Sequence, residues 1–429
     1  MRRNGTLCVV AVALLGGCDD EPVGGLDLAD DPVAYIESME YRRGILERDL
    51  TVLENHYAER RLARYATPDG PWDTLLERDP PSAPLTTDDT DGILAGVPPA
   101  MADGSSLTPD ELPGDEAGWI DLGRRVFFEY PLRVELTYEA LAEIEDGIPS
   151  SGFLLDDGAW VGLRKFVDDG GDVRIGNTCA QCHASRDDDG DVTGVLANRA
   201  MNVGRARLLT LGLEPGELPP EIEASSVGDL DRLGPGRSDL LADGVFNPYA
   251  FPDFGGIVDM PYLHQNANWF HRGTATLAVR CETLFITSNA ERRRPPRVLT
   301  WALATYLRSL PPPPPVTAGG PEADAGRIVF DETGCGDCHT PPLFTSDRSV
   351  TIDEVGTDPW AGRSEVRWTG NYRIPSLRGV GRTAPYLHHG AFAGLEEMFD
   401  PERTEPGHEF GLALDEAERA ALLAYLRSI

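Results

Sequence analysis

The sequence predicts a mainly α-helical protein in which two similar domains follow an acidic N-terminal region. Three observations carry this prediction. Alternation of apolar and polar residues is scarce, whereas apolar residues recur at helical spacing in several stretches. Four short motifs occur twice and in the same order, which indicates an internal repeat. Between the two copies lies a run of five prolines, Pro311–Pro315, which cannot be helical and acts as a stiff spacer.

The composition limits the function. The chain has 429 residues, of which 41% are hydrophobic, so it can bury a sizeable core divided among two or three domains. Its 71 acidic residues outnumber 38 basic ones and give a formal charge of −33. Such a surface repels nucleic acids and anionic lipids, which argues against a nucleic-acid role. It suits a basic protein partner, or it serves solubility alone.

The first eighteen residues predict a lipoprotein signal peptide. Arg2 and Arg3 precede an apolar run, Leu7–Leu15, that is too short to span a bilayer as a stable helix. The ending LLGGC is similar to a bacterial lipobox, which implies cleavage before Cys18 and acylation of its thiol. An ordinary cleaved signal is the alternative. No other stretch is apolar enough to cross a membrane, so we expect an exported protein on the periplasmic side of a bacterial membrane, held by a lipid anchor.

Residues 19–115 form the predicted acidic N-terminal region. Within it, residues 31–65 carry apolar side chains at helical spacing, which predicts one helix or a helix pair. Residues 69–92 are rich in Asp, Pro and Thr and are predicted to be loop or tether. The two repeated domains are placed at residues 116–310 and 316–429, on either side of the proline run.

Each repeat runs from a helix through a cysteine pair and a histidine–glycine turn to a closing helix. The matched segments are Asp121–Phe127 with Asp324–Phe330, TCAQCH at 178–183 with GCGDCH at 334–339, Trp269–Leu277 with Tyr386–Leu395, and Ala302–Leu310 with Ala421–Ile429. In this alignment His271 corresponds to His388. Asp415 and Glu418 have the spacing of a capping box at the start of the second closing helix.

Both cysteine pairs are followed at once by a histidine. The motifs are Cys179, Cys182 and His183 in the first repeat and Cys335, Cys338 and His339 in the second. This is the spacing of c-type haem attachment, in which two thiols add to one porphyrin edge and the next residue places an imidazole on the iron. A zinc ribbon needs two pairs close together, and a redox dithiol does not need the histidine. The sequence therefore predicts two covalently bound haem c groups, with His183 and His339 as the proximal iron ligands.

This arrangement resembles the bacterial di-haem cytochrome c peroxidase superfamily, with some likeness to its di-haem rubber oxygenase branch. The resemblance covers Gly118–Ile429 and is most specific in RTAPYLHHGAF, Arg382–Phe392. It implies two cytochrome c-like haem domains face to face, one haem taking up electrons and the other carrying out chemistry. It also implies calcium between the domains, for which Ser185–Asp191 is the candidate loop. A solvated acidic turn is the alternative, because this loop lacks the bidentate glutamate of a helix–loop–helix calcium site.

The resemblance also implies a distal ligand for the second haem. In the superfamily this ligand lies after the histidine–glycine turn and shortly before the closing helix, which is the place of His408. Met398 is the first alternative, and a solvent-facing loop position is the simpler explanation of His408. His388 and His389 are the other candidates. If His408 is the ligand, His388, the histidine of the turn, is expected to line the haem edge.

The distal ligand of the first haem stays open. The peroxidases carry a histidine in the loop after the haem motif, but residues 184–205 contain none. This argues against a peroxidase with the usual distal histidine. Met201 is the soft ligand in that loop, unless it is a core methionine. His264, His271 and the absence of any protein ligand are the remaining alternatives. Because His271 matches His388 in the repeat, it is expected near the first haem.

Three other residues bear on the sites. Arg237 and Arg382 carry the guanidinium fork that suits haem propionates and are expected near the haems. Cys281 stands apart from the cysteine pairs and is expected to be a small buried apolar residue.

Three functions fit these predictions. The first is a peroxidase-like di-haem oxidoreductase, in which the haem at His339 passes electrons to the haem at His183. An electron carrier without catalysis of its own is the alternative, and a haem oxygenase of an apolar substrate is a weaker one. A small redox protein or cytochrome is the expected electron partner. The sequence also allows a small-molecule oxidant and a homodimer.

Overall fold

The computed structural model describes residues 28–50, 55–68, 70–89, 106–240 and 244–429. The predicted signal peptide and Cys18 lie outside these residues. Helices dominate the described part of the chain, as the sequence predicts. Within these ranges, no helix combines the length and the apolar character needed to cross a membrane.

The helices of the described residues vary from one to four turns. They are α1 (Pro32–Glu37), α2 (Met39–Asp49), α3 (His56–Tyr65), α4 (Pro71–Thr74), α5 (Glu116–Glu129), α6 (Leu136–Ala142), α7 (Gly147–Ser150), α8 (Ala180–His183), α9 (Val203–Thr210), α10 (Pro220–Glu223), α11 (Gly228–Leu233), α12 (Thr274–Ser288), α13 (Arg297–Ser309), α14 (Pro321–Glu332), α15 (Ile352–Val355), α16 (Trp360–Arg363), α17 (Leu395–Met398) and α18 (Glu416–Leu426). Three-residue 3₁₀ turns lie at Ile257–Asp259, Cys335–Asp337 and Val380–Arg382.

The strands are short and pair antiparallel. They are β1 (Ser82–Thr86), β2 (Leu155–Asp156), β3 (Ala159–Val167), β4 (Val173–Asn177), β5 (Ser185–Arg186), β6 (Val192–Thr193), β7 (Arg237–Asp239), β8 (Pro248–Ala250), β9 (Ser349–Thr351) and β10 (Asn371–Arg373). Strand β3 pairs with β1, β2 and β4, and the remaining strands form the two-stranded pairs β5–β6, β7–β8 and β9–β10.

A close helix crossing forms the centre of each repeat and explains the shared GR..F motif. Helix α5 packs on α13, and a Cβ atom added at Gly123 would lie 1.9 Å from the carbonyl oxygen of Ala302. Helix α14 packs on α18 in the same way, with 1.8 Å between a Cβ at Gly326 and the oxygen of Ala421. Only glycine allows backbones to approach this closely, so the motif is a packing requirement that both repeats share.

The predicted N-terminal helix is broken into α1, α2 and α3. Asp31, Ser38 and Asn55 cap them through side-chain oxygens that accept backbone N–H groups, and each cap begins a new helix. The region packs on the first repeat, where the buried hydroxyl of Tyr35 donates to Glu282 at 2.9 Å.

The predicted tether at residues 69–92 is wrong in part. It contains helix α4 and strand β1, and β1 pairs with β3 through residues such as Ser82 opposite Phe166. Lys165 of β3 forms an ion pair with Asp89. Because the partner strand lies some eighty residues away, no local pattern in this segment could reveal the pairing.

Strand β3 and strand β4 form a hairpin that leads into the first cysteine motif. The hairpin register pairs Leu163 with Asn177. At Gly162, which has a φ of +82°, an added Cβ would lie 2.2 Å from the backbone nitrogen of Gln181. The backbone nitrogen of Thr178 also donates to the Gly162 carbonyl at 2.9 Å. The hairpin therefore holds the cysteine motif against β3 by direct backbone contact.

Candidate haem-binding sites

The second cysteine motif opens into a cavity of the second repeat. The cavity has a volume of about 700 Å³, and Cys335, Cys338 and His339 all line it. Pockets that hold cofactors and other small molecules span roughly 300–1,000 Å³. The size of the cavity and its mostly apolar wall fit a haem attached at these two cysteines.

His339 presents one ring nitrogen to this cavity. Its Nδ1 donates to the backbone oxygens of Phe344 and Pro375, each at 3.1 Å. Burial lowers the pKa of His339, so the ring is neutral at pH 7. Because Nδ1 carries the proton, the lone pair sits on Nε2, which is the tautomer of a histidine that ligates iron.

His408 faces His339 in the same cavity. Their ring centroids lie 6.3 Å apart and the rings are tilted by 54°. Two metal–nitrogen bonds of roughly 2 Å each, together with the radii of two imidazole rings, span about this distance. Burial, followed by the neighbouring His339, lowers the pKa of His408 to about 4, so its ring is also neutral at pH 7.

The backbone at His408 is held in an uncommon conformation. Its φ is +49°, and its N–H donates to the oxygen of Val355 at 2.7 Å. Its Nδ1 is buried without a hydrogen-bond partner. A non-glycine residue kept in the left-handed region by its surroundings is typical of functional sites. Met398, the alternative ligand, also lines the cavity and is buried in the core of the second repeat.

His388 lines the cavity, in keeping with the predicted position beside the haem edge. Its ring stacks on Tyr372 with centroids 4.5 Å apart and an angle of 19°. The Tyr372 hydroxyl lies 3.4 Å from Nε2 of His388. Its role next to a haem stays a prediction.

The two arginines chosen from the sequence lie elsewhere, since neither lines the cavity. Arg237 belongs to β7. The guanidinium of Arg382 pairs with Asp188 and donates to the oxygen of Pro314. The Arg382 fork thus already has a carboxylate partner, and the placement of Arg237 and Arg382 near the haems stays a prediction.

Arg373 is the residue that the sequence analysis missed. It lines the cavity, and its guanidinium donates to the backbone oxygen of Tyr262 at 2.8 Å. Burial lowers its pKa to about 10, and no carboxylate among the described residues forms an ion pair with it. An unneutralised guanidinium in a cavity wall suits a carboxylate-bearing cofactor. Nothing near Arg373 in the sequence distinguishes it from the chain's many other arginines.

The first motif repeats the hydrogen bond of the second. Nδ1 of His183 donates to the backbone oxygen of Pro252 at 2.9 Å, as His339 does to Pro375. The His183 ring stacks on Phe254 with centroids 4.3 Å apart. Burial lowers the pKa of His183 to about 4, so this ring is neutral and presents its Nε2 lone pair, like its counterpart.

Burial favours the neutral thiol at Cys179, Cys182 and Cys335. Burial raises the pKa of Cys182 to about 12 and raises those of Cys179 and Cys335 as well. Zinc ligands and redox nucleophiles require thiolates, whereas the thioether bonds to haem carry no charge. Among the described residues, no group of three or more His, Cys, Asp or Glu could hold a metal ion. The neutral thiols fit haem attachment, and calcium between the repeats stays a prediction.

The candidate distal ligands of the first haem differ in their surroundings. Met201 is fully buried in an apolar cluster that Cys182 also contacts. Nδ1 and Nε2 of His264 hydrogen-bond Asn268 and Arg280, each at 2.6 Å. The two ring nitrogens of His271 bond the oxygen of Met260 and a guanidinium nitrogen of Arg308, at 3.0 and 2.9 Å. Neither histidine has a free lone pair, which leaves Met201 or no protein ligand.

The pairing of His271 with His388 across the repeats is wrong. Isolated bridges join Tyr262 to Phe270 and Tyr386 to Phe392, so the segments PYLH at 261–264 and 385–388 are structural equivalents. His264 is therefore the counterpart of His388. The alignment matched His271 with His388 through the glycine two residues after each, whereas the backbone bridges match Tyr262 with Tyr386, which lie nine and two residues before those histidines.

The paired CxxCH motifs, each in a helix-crossing repeat, are those of the di-haem cytochrome family that the sequence resembles. No protein-family profile matches the chain. Among curated proteins, the chain is 28% identical over 155 residues to the methylamine utilization protein MauG of Methylorubrum extorquens, a match that covers 31% of this chain and 44% of that protein. The chain thus spans less than half of this relative, and the match confirms the resemblance to the di-haem cytochrome family.

Two solved structures are also similar to the chain. One is a MauG-like protein associated with microbial copper homeostasis, with a TM-score of 0.36, 16% identity and coverage of 75% of this chain and 90% of that one. The other is hydrazine synthase of Kuenenia stuttgartiensis, with a TM-score of 0.34, 15% identity and coverage of 76% and 96%. Likenesses this distant add nothing to the assignment of function.

Proposed function

We propose that this chain is an exported di-haem c-type cytochrome that acts as a peroxidase-like oxidoreductase and passes electrons between its two haems. One observation carries the proposal. His339 and His408 face each other at 6.3 Å in a cavity that Cys335 and Cys338 also line. These four residues would supply two thioether bonds and two iron-ligating nitrogens to one haem.

The second haem is the electron-uptake centre in this proposal. Cys335 and Cys338 would hold it, and His339 and His408 would supply nitrogen ligands to its iron. A haem with two histidine ligands exchanges single electrons and offers no open position to a small molecule. Arg373 pairs with one of its carboxylates and so neutralises two buried charges together.

The first haem is the centre at which chemistry takes place. Cys179 and Cys182 hold it, and His183 is the proximal ligand. The hydrogen bonds that occupy both nitrogens of His264 and of His271 support a distal side without histidine. Such a side is free for a small-molecule oxidant, with a small redox protein as the electron donor.

An electron carrier without catalysis is the second candidate, and Met201 favours it. This methionine is fully buried in the apolar cluster that contacts Cys182, so its thioether is available as a sixth ligand. In that case both irons are six-coordinate and neither binds an external molecule.

Carbon monoxide distinguishes the two candidates. The full-length protein is produced in a host that attaches c-type haem, reduced, and titrated with carbon monoxide while its absorption spectrum is recorded. Binding at one of two haems supports the oxidoreductase, and turnover of hydrogen peroxide with a reduced cytochrome then tests the reaction. Absence of binding favours the carrier.

Export and lipid anchoring at Cys18 complete the proposal. Growth with radiolabelled palmitate, followed by fractionation, tests both. We expect label in the wild-type protein in the membrane fraction and none in the Cys18→Ser variant. A wild-type protein without label contradicts the anchor, while the haem assignment stands independently.

A further inference from the structure

A cluster of basic and aromatic side chains surrounds Tyr57 of helix α3. The Tyr57 ring is buried, and the guanidinium carbons of Arg61 and Arg367 lie 5.0 and 5.4 Å from its centroid. The His264 ring lies 5.1 Å away and accepts a hydrogen bond from Arg280 at 2.6 Å. We call these five residues, with Asn268 and Trp269, the Tyr57 cluster.

Three distant parts of the chain build this cluster. Tyr57 belongs to α3 of the N-terminal region, Arg280 to α12 of the first repeat, and Arg367 to the second repeat. Direct hydrogen bonds join them: the side chain of Asn55 donates to the oxygen of Asn268 at 2.7 Å, and the backbone nitrogen of His56 donates to the oxygen of Trp368 at 3.1 Å. The cluster is therefore the place where the N-terminal region meets both repeats.

The positive charge of the cluster is not balanced. Among the described residues, no carboxylate forms an ion pair with Arg61, Arg280 or Arg367, whereas other partly buried arginines such as Arg297 have such partners. His264 is neutral, because burial and the neighbouring guanidinium groups hold its pKa well below the usual range. Three like charges at one half-buried place are costly unless an anion joins them.

Several donors of the cluster also have no acceptor. The hydroxyl of Tyr57, Nη1 of Arg280, Nδ2 of Asn268 and Nε1 of Trp269 are buried without a hydrogen-bond partner. Asn268 and Trp269 are fully buried, and Tyr57 is 7% exposed. A buried polar group without a partner costs about 1–3 kcal/mol. Four such groups, one of them on Arg280 itself, lie in a cluster with three guanidinium groups and require a common explanation.

We propose that the Tyr57 cluster binds an oxyanion, a carboxylate or a phosphate, through the guanidinium groups of Arg61, Arg280 and Arg367 and the hydroxyl of Tyr57. The orphaned groups are all able to donate, and the charges are all positive, so an anion with several oxygens satisfies both. By joining α3 to both repeats, the anion also fixes the N-terminal region on the haem domains. The inference goes beyond the proposed function, which gives no role to Tyr57, Arg61 or Arg367.

Two sources can supply this oxyanion. One is a free anion from the surroundings. The other is a carboxylate of the haem at Cys179, because Cys179 packs in the same apolar core as Trp269 and as Cys281, the neighbour of Arg280. The chemistry of recognition is the same, and the experiment separates the two.

The first arm measures thermal unfolding of the full-length, haem-loaded protein in chloride at constant ionic strength, with added inorganic phosphate or acetate. For a free anion we expect the unfolding midpoint to rise and saturate with one of the two, since binding to the native state stabilises it. Arg367→Gln is expected to weaken that affinity at least tenfold. Arg60→Gln changes an exposed arginine on the same helix and is expected to leave it unchanged.

The second arm records resonance Raman spectra of the same proteins. If a haem carboxylate occupies the cluster, neither added anion acts, and Arg367→Gln shifts the propionate-bending band of one haem while Arg60→Gln does not. Arg61→Gln serves in both arms should Arg367→Gln fail to fold. The inference is overturned if neither arm responds and Tyr57→Phe raises the unfolding midpoint, because removal of an orphaned hydroxyl stabilises only a site that holds no anion.

Discussion

Arg382 and Asp188 form a two-pronged salt bridge between the repeats. Nη1 and Nη2 of Arg382 donate to the two carboxylate oxygens of Asp188 at 2.9 and 2.8 Å. Asp188 belongs to the acidic turn that follows the first cysteine motif, and Arg382 precedes the PYLH segment of the second repeat. The two residues that the sequence linked to calcium and to haem are thus partners of each other.

We predict that this pair contributes little to stability. Asp188 is 68% exposed and Arg382 is 27% exposed, and solvent screens such a pair to about 0–1 kcal/mol. A double-mutant cycle of Arg382→Gln and Asp188→Asn in urea unfolding measures the coupling. The absorption spectra of both haems are expected to stay unchanged. A change in the haem absorption spectrum of Arg382→Gln, but not of Asp188→Asn, would contradict this expectation and show that Arg382 lies next to a haem.

A second prediction concerns the helix crossings. In Gly326→Ala the new Cβ would lie 1.8 Å from the Ala421 oxygen, so the two helices must move apart. Overpacking of this kind lowers the free energy of unfolding by about 1–3 kcal/mol, and by more where the added atom meets backbone atoms rather than a side chain. Urea unfolding measures the loss. Gly114→Ala is the matched control, because a Cβ there meets nothing within 4 Å; equal midpoints for the two variants would contradict the packing role of the GR..F glycine.

The third prediction is a loss of stability in mild acid. Burial lowers the pKa of His271 to about 4, below its unfolded value of roughly 6.5. Between these pH values the His271 side chain is protonated in the unfolded chain and neutral in the folded chain. The free energy of unfolding therefore falls as the pH drops from about 6.5 to 4. Asp253 has the opposite effect on stability. Burial raises its pKa to about 6, so its carboxyl group is protonated, and no longer a buried charge, in the folded protein below that pH.

Urea midpoints at pH 7 and pH 5 test the contribution of His271. The wild-type protein is expected to lose stability between these values. His271→Gln keeps a side chain that can bond Arg308 but does not titrate, so its midpoint should change less with pH. A pH dependence as steep as that of the wild type would show that His271 is not a source of the effect.

The fourth prediction concerns His408. His408→Ala removes the ring that faces His339, which opens the iron position on that side. We expect the reduced variant to bind carbon monoxide at one more haem than the wild-type protein does, as read from its absorption spectrum. His389→Ala is the control, since that ring lies beside His388 rather than opposite His339. If His389→Ala bound carbon monoxide at an additional haem and His408→Ala did not, His408 would not be the distal ligand.

Local patterns in the sequence were sufficient for much of the fold. The capping box of Asp415 and Glu418 is present at the start of α18, because its donors and acceptors lie within four residues. The repeated GR..F helices also pack as their shared motif suggests. Even the approach of His408 to His339 could be expected, since the haem motif and the superfamily's order of elements together set that distance.

Features that join distant segments could not be read from the sequence. The pairing of β1 with β3 depends on residues 82 and 166, and the burial along β3 does not alternate because both of its faces are covered. The Tyr57 cluster combines residues separated by more than 300 positions. Arg373 is a cavity residue only because β10 folds beside the haem motif. Each is set by tertiary packing, which overrides local preference.

The attachment of one haem to each repeat is the central claim, and peptide mass spectrometry tests it most directly. Full-length protein from a host that matures c-type cytochromes is digested, and the peptides that contain Cys179–Cys182 and Cys335–Cys338 are identified. We predict that both peptides carry one haem each, and that a Cys335→Ala, Cys338→Ala variant keeps only the first. Two unmodified peptides from such a host would contradict the account.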